Sequence, residues 1–249
     1  MICLPAGIWE ENIKIEKSIT LRGMGAEQMI IDGIEDGYPV VWIMGPEEAV
    51  QTISVRVEGL TITGAEGECA DKAEGISATG LRPCFATGVL IQGRAQVAIT
   101  DATIYENRWN GLVLLDTAQA EIIGSIISGN RVNGIELRGS AKAVITGSTI
   151  SENRTGIWIM HSAKVEITGS TISDSGADGI HLWNEAVLRL VNSRILRNLG
   201  YGVSIYLPDG WAEFTGQVTG SGNLIPGPDE PDGNRKGAVC PPELAFLML

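Results

Sequence analysis

The chain has 249 residues, 44% of them hydrophobic but only 5% aromatic, with 32 glycines. Its net charge of −12 disfavours nucleic acid and anionic membranes as partners, and a polyanionic ligand would need a local basic patch or a bridging cation. No apolar run approaches the roughly 18 residues a membrane span requires. Two histidines, with four cysteines in no CxxC spacing, do not suggest a zinc site.

Met1 leads straight into Ile2-Cys3-Leu4-Pro5-Ala6-Gly7, which already reads as a strand and turn. The start therefore reads as a boundary inside a longer chain, and the absence of a leader says little about location. Residues 1–63 predict irregular coils. Ile13-Lys14-Ile15 and Ile19-Thr20-Leu21 alternate, Gly23 turns, and Met29-Ile30-Ile31, Val40 to Ile43, Ile53 to Val57 and Leu60-Thr61-Ile62 follow as short strands. Residues 64–87 break the pattern and are expected to project as a loop. Cys69 and Cys84 bracket part of it. Two readings stand for them: a disulfide closing a loop of about 15 residues, worth roughly 3 kcal/mol, or two free thiols.

From 88 to 207 the chain repeats. Glycines stand at 88, 111, 134, 156, 179 and 202, and one and three residues after each the residue is aliphatic, from Val89/Ile91 to Val203/Ile205. That alternation marks a strand with one buried face. A second inward pair follows in each coil (Val97/Ile99, Ala120/Ile122, Ala143/Ile145, Val165/Ile167, Leu188/Leu190), then a single inward isoleucine (Ile104, Ile127, Ile150, Ile172, Ile195). Three such segments are too short for helices and make a triangular coil. Asn107, Asn130, Asn153, Ser175 and Asn198 occupy one turn position. Stacked at strand spacing, asparagines there would form a hydrogen-bonded ladder serving structure, with Asn223 as its candidate last rung. A last coil is expected over 208–225. The Pro/Gly/acidic stretch from Pro226 and the apolar end Leu244 to Leu249 read as a tail (226–249) that folds back as a cap or links to another domain.

The repeated GIxLxxSAxVxITGSTISxN coil resembles the parallel β-helix repeat of the pectate-lyase-like superfamily. The opening LPAGIWEENIKIEKSITLRGMGAEQMIIDG resembles its usual first coils. The resemblance, over residues 2 to about 225, looks closest to the carbohydrate-binding and sugar-hydrolase β-helix subgroup. It implies an all-β, single-stranded right-handed parallel β-helix, with three short strands per coil of about 23 residues and about eight or nine coils. It also implies an extracytoplasmic protein whose ligand, a polysaccharide or oligosaccharide, lies along the first-strand face. Fold analogy does not assign a reaction.

The departures from the repeat carry the functional candidates. On the outward face of the first strand, Glu136, Arg138, Trp158, His181, Trp183 and Tyr206 gather in adjacent columns. Trp158, Trp183, Tyr206 and Asp178 are the candidate ligand-binding residues, since sugar rings stack on aromatic faces and charged groups fix hydroxyls. Glu136, Arg138 and His181 are the candidate catalytic residues for a lyase, epimerase or hydrolase. Paired glycosidase carboxylates and the Asp-rich calcium cluster of a pectate lyase are not evident, so no cofactor or metal is expected and Ca2+ lacks a motif. The same aromatic patch, or the solenoid ends, could instead serve self-association or a structural, adhesive module. Arg108, Arg131 and Arg154 form a second row, with Glu106 and Glu152 as expected partners.

Overall fold

In the computed structural model the described residues are 1–34, 37–46, 51–67, 86–205 and 214–248. They form a right-handed parallel β-helix with three sheets of nine, eight and nine strands. Sheet 1 runs through Ile53–Glu58, Ala95–Thr100, Gln119–Ile123, Lys142–Thr146, Lys164–Thr168, Val187–Val191 and Gln217–Ser221. Sheet 2 carries the short strands such as Thr103–Tyr105 and Thr149–Ser151. Sheet 3 holds Ile13–Ile15, Val41–Met44, Val89–Gln92, Leu112–Leu114, Asn133–Leu137, Thr155–Ile159, Ile180–Leu182, Tyr201–Ile205 and Gly237–Cys240. No helix among the described residues is long and apolar enough to cross a membrane.

Each inward position of the repeat is filled as expected. Ile99, Ile122, Ile145, Ile167 and Leu190 stack in register along sheet 1, all fully buried. The corners have a common cause. After the five sheet 3 strands from Val89–Gln92 to Ile180–Leu182, Gly93, Asp116, Gly139, His161 and Asn184 take left-handed φ, from 58° to 70°. Asp101, Gly124, Gly147, Gly169 and Asn192 do so after sheet 1, and Glu106, Gly129, Glu152, Asp174 and Arg197 after sheet 2. One left-handed residue turns the chain sharply between two extended segments, which is why Gly, Asn and Asp dominate there.

The coil glycines are required for a different reason. A Cβ on Gly134 would lie 2.7 Å from the Asn153 amide nitrogen, the Gly156 carbonyl oxygen and an Ile150 methyl. Behind it, Asn130 donates its amide to Asn153 Oδ1 at 2.9 Å, and Asn107 donates to Asn130 Oδ1 at 3.0 Å. Ser175 interrupts the row. Asn198 then donates to Asn234 Oδ1 at 2.8 Å, not to Asn223. Asn223 instead accepts the Ser193 N–H at 2.9 Å. It ends a second row, Ser125, Ser148, Ser170 and Ser193, in which each hydroxyl oxygen accepts the N–H of the residue one coil earlier. The extra residues between coils after Ile205 shift Asn223 to the sheet 1–sheet 2 corner and bring Asn234 under Asn198.

The tail first extends sheet 3 at the end of the solenoid. Gly237–Cys240 adds a ninth strand to sheet 3, parallel to Tyr201–Ile205. The 3-10 helix Pro242–Met248 follows, with Leu244 and Leu247 packed into the core. At the opposite end Ile2, Ile8 and Trp9 stay exposed. Most of the 64–87 segment, including Cys69 and Cys84, lies outside the described residues, as does Tyr206. Cys3 and Cys240 are free thiols at opposite ends.

Candidate functional site

The outer face of sheet 3 follows from strand register. One outward column runs Lys14, Trp42, Leu90, Val113, Glu136, Trp158, His181, Ser204 and Cys240. Its two halves differ. Leu90, Val113 and the adjacent Leu115 point outward yet are only 1–2% exposed, forming a satellite apolar cluster beside Trp42. Lys14 stands 5.2 Å over the Trp42 ring. In the second half Trp158, His181, Trp183 and Asp178 are half-buried.

Glu136 divides the halves. It is 2% exposed. Oε2 accepts the Asn110 amide at 3.1 Å and the Asn133 amide at 2.8 Å, while Oε1 pairs with Arg138. A buried carboxylate is tolerable only when so satisfied. With its oxygens occupied and closed to solvent, Glu136 organises the face. The two candidate catalytic groups Glu136 and Arg138 thus stand on the expected face, paired with each other. His161, at the next corner, lies near Arg138. Burial, and then the Arg138 charge, push its pKa below the ordinary value, so its ring is neutral at pH 7.

His181 is the centre of the open half. Its ring meets Trp158 edge-on, centroids 6.0 Å apart and planes at 75°. Nδ1 lies 3.1 Å from Asp178 Oδ2 and 2.8 Å from Ser204 Oγ, and Ser204 donates to the same carboxylate oxygen at 2.6 Å. Asp178 Oδ1 accepts the Tyr201 N–H at 2.7 Å. Burial raises the Asp178 pKa, but the bonds from His181, Ser204 and Tyr201 together outweigh it and hold the carboxyl below its ordinary range. Asp178 is therefore ionised at neutral pH and can only accept. When the imidazole is neutral, that places its proton on Nδ1 and its lone pair on Nε2. A serine nucleophile would need to sit on Nε2 with the carboxylate on Nδ1. Here both are on Nδ1, so the trio is not an acyl-transfer triad.

Asp178's lowered pKa also sets a pH dependence. Its contribution to stability is fully present above the carboxyl's unfolded value and is lost as pH falls through the lowered folded value. Denaturant unfolding of wild type and Asp178→Asn should show an advantage for wild type at neutral pH that disappears toward the acid limit. An advantage that persists unchanged into acid would contradict this assignment.

The Trp158 indole N–H is closed to solvent and has no acceptor among the described residues, a deficit of about 1–3 kcal/mol if it stays unmet. Sequence reasoning did not single out Asn110, Asn133, Tyr201, Ser204 or Cys240. The first three share with Asp178 the position just before a coil glycine, a polar column beside the strand face. In the arginine row, Arg108 pairs with Glu66 at 3.8 Å, not with Glu106.

Comparison with known proteins places this geometry. The family model described as right handed beta helix region matches residues 87–225. No curated protein matches the sequence. Among solved structures, the chain is similar to pectate lyase Pel9A, with a TM-score of 0.60 and 13% identity, covering 89% of this chain and 66% of that one. It thus spans just under two thirds of the lyase's length. It is similar to the pectin methylesterase from Yersinia enterocolitica, with a TM-score of 0.56 and 14% identity, covering 98% of this chain and 90% of that one. A third likeness is to ORF18 of Geobacillus virus E2, at 0.53 and 15%, covering 87% and 52%. Likenesses at such identity show a shared fold.

Proposed function

Starting from the fact that this chain belongs to the right-handed β-helix family, we propose that it binds a polysaccharide on the outer face of sheet 3, around Trp158, His181, Trp183 and Asp178, outside the cytoplasm. The observation that carries this reading is the partly exposed Trp158–His181–Asp178 assembly over the buried Ser204. It combines an aromatic edge with a charged, hydrogen-bonding group beside the sealed Leu90, Val113 and Glu136. Two proteins of the same fold, a pectate lyase and a pectin methylesterase, have pectic names, and since the net charge of −12 and the ionised Asp178 disfavour a polyanion, methyl-esterified, uncharged pectic glycans are the first to try.

A glycan array probed with wild type, Trp158→Ala and Trp183→Ala tests it. An aromatic contact is worth about 0.5–1.5 kcal/mol beyond its burial, so each variant should bind about 2–13-fold more weakly to the glycan wild type selects. Equal binding by all three, or no glycan bound by wild type, would sink the reading.

One observation favours a second reading, catalysis at the same place. Asp178 fixes the His181 tautomer so that Nε2 carries the lone pair of a general base. The reaction would be that of a lyase, epimerase or hydrolase. Turnover of a uronic polymer that disappears in His181→Ala supports it; turnover retained in that variant rules His181 out.

A further inference from the structure

The open part of the sheet 3 column is short, bounded by sealed residues on one side and by the end of the sheet on the other. Toward the first coils, Leu90, Val113 and Glu136 are 1–2% exposed, and Leu115 and Met160 in the neighbouring column are buried as well. A ligand leaving Trp158 in that direction meets sealed side chains in both columns, apart from the half-buried Arg138, which is held by Glu136, until Gln92 and Trp42. In the other direction the column ends at Cys240, which pairs with Ser204 in the last strand of the sheet. Beyond it the chain turns at Pro241 into the helix Pro242–Met248, whose leucines lie under the core. The accessible column therefore comprises Trp158, His181, Ser204 and Cys240, with Ser204 as its buried floor. That is three strand spacings, roughly 14 Å.

We propose that this site takes a short oligosaccharide or the end of a chain, and not the interior of a polymer laid along the solenoid, with the Cys240 thiol marking its far boundary. The proposal rests on the binding reading above and deepens it. The assignment of Cys240 depends on the tail strand, which carries the thiol into line with His181 and Ser204. The residue is half-buried and free, so its thiol can react when the site is empty. Tyr201, whose N–H holds Asp178, stands in the strand that pairs with the Cys240 strand, which ties the boundary to the binding groups.

The test uses the full chain and fully methyl-esterified, uncharged oligogalacturonides of graded length, from the monomer to the polymer, in calorimetric titration. Affinity should strengthen with each added sugar until the open column is spanned. Further units should then change Kd by less than about twofold, because they find no new surface to bury. In parallel, iodoacetamide alkylation is followed peptide by peptide. A saturating oligomer should slow modification of Cys240 several-fold and leave Cys3, at the opposite end of the solenoid, unchanged.

A Kd that keeps falling with every added unit up to the polymer overturns the short-site proposal while leaving binding intact. So does an unchanged Cys240 rate under saturating ligand. Absence of binding at every length overturns the binding reading, and this proposal with it.

Discussion

Asn153→Ala is expected to cost about 2–4 kcal/mol of stability, although the residue touches no candidate ligand group. Its Oδ1 accepts both the main-chain N–H of Asn130 at 3.0 Å and its side-chain amide at 2.9 Å. Its own amide donates to the carbonyls of Ile127 at 3.0 Å and Ser151 at 2.9 Å. The site is 2% exposed, so alanine leaves several backbone groups with neither protein nor bulk water to bond. Sheet hydrogen bonds cannot substitute, because the corner turns these groups away from the ladders. Lys142→Ala, exposed on sheet 1, should stay within about 0.5 kcal/mol. Equilibrium unfolding in urea checks both, with the m-value watched because solenoids can unfold in parts. A change at Asn153 no larger than that at Lys142 would remove the corner asparagines from the account of stability.

The second large effect is expected at the tail. We propose that residues 226–248 cap the solenoid, since an open end would expose core and unpaired strand edges. Leu244 and Leu247 bury against the last coils, each worth about 2–3 kcal/mol. Asn234 donates to the Ile195 carbonyl at 2.8 Å and accepts from Asn198. Asn223 donates to the Leu247 carbonyl at 2.7 Å. Ending the chain after Ile225 removes all of these together with the outer strand of sheet 3. The expected result is local: amides in 187–205 exchange far faster, while those in 95–146 keep their protection, because each coil couples only to its neighbours. Leu247→Ala, which keeps the tail strand, should cost roughly 2–5 kcal/mol. Unaltered exchange at 187–205 in the shortened chain would show that the tail is not the cap.

These two expectations also mark how much was legible in the residues alone. The coil and its inward aliphatics were readable because each repeats at one spacing and the side-chain period of a strand is fixed. The asparagines could be paired for the same reason, up to Asn198. Beyond that, the spacing is broken by inserted residues, and nothing in composition distinguishes Asn223 from Asn234 as the next rung. The serine row was visible in the repeated Gly-Ser and Asn-Ser corners, but serine is common enough in turns to pass unremarked. Gly237–Cys240 was not readable as a strand, since four residues after a Pro/Gly-rich stretch carry no alternation.

At the candidate site, strand register alone aligned Glu136, Trp158 and His181. Register does not say which of them is sealed. Glu136 is sealed by Asn110 and Asn133, which stand in a different column and approach only once the coil closes. The sealing of Leu90, Val113 and Leu115 likewise depends on what packs over the face, which no local pattern records. Asp178 reached His181 because a residue just before the coil glycine faces outward beside the strand. That is a property of the corner's dihedral angles, not of hydrophobic periodicity.

The location of the ligand site is the centre of this account, and it has a rival. Sheet 1 carries a shallow depression lined by Arg56, Gln96, Gln119, Glu121 and Lys142, polar groups equally able to meet a sugar. Hydroxyl-radical footprinting with and without saturating methyl-esterified oligogalacturonide separates the two. Trp158, His181 and Trp183 should be protected several-fold, with exposed Trp9 and the sheet 1 valine Val144 unchanged. Protection of Val144, with Trp158 and Trp183 oxidised as fast as in the free protein, would place the ligand on sheet 1 and contradict the assignment.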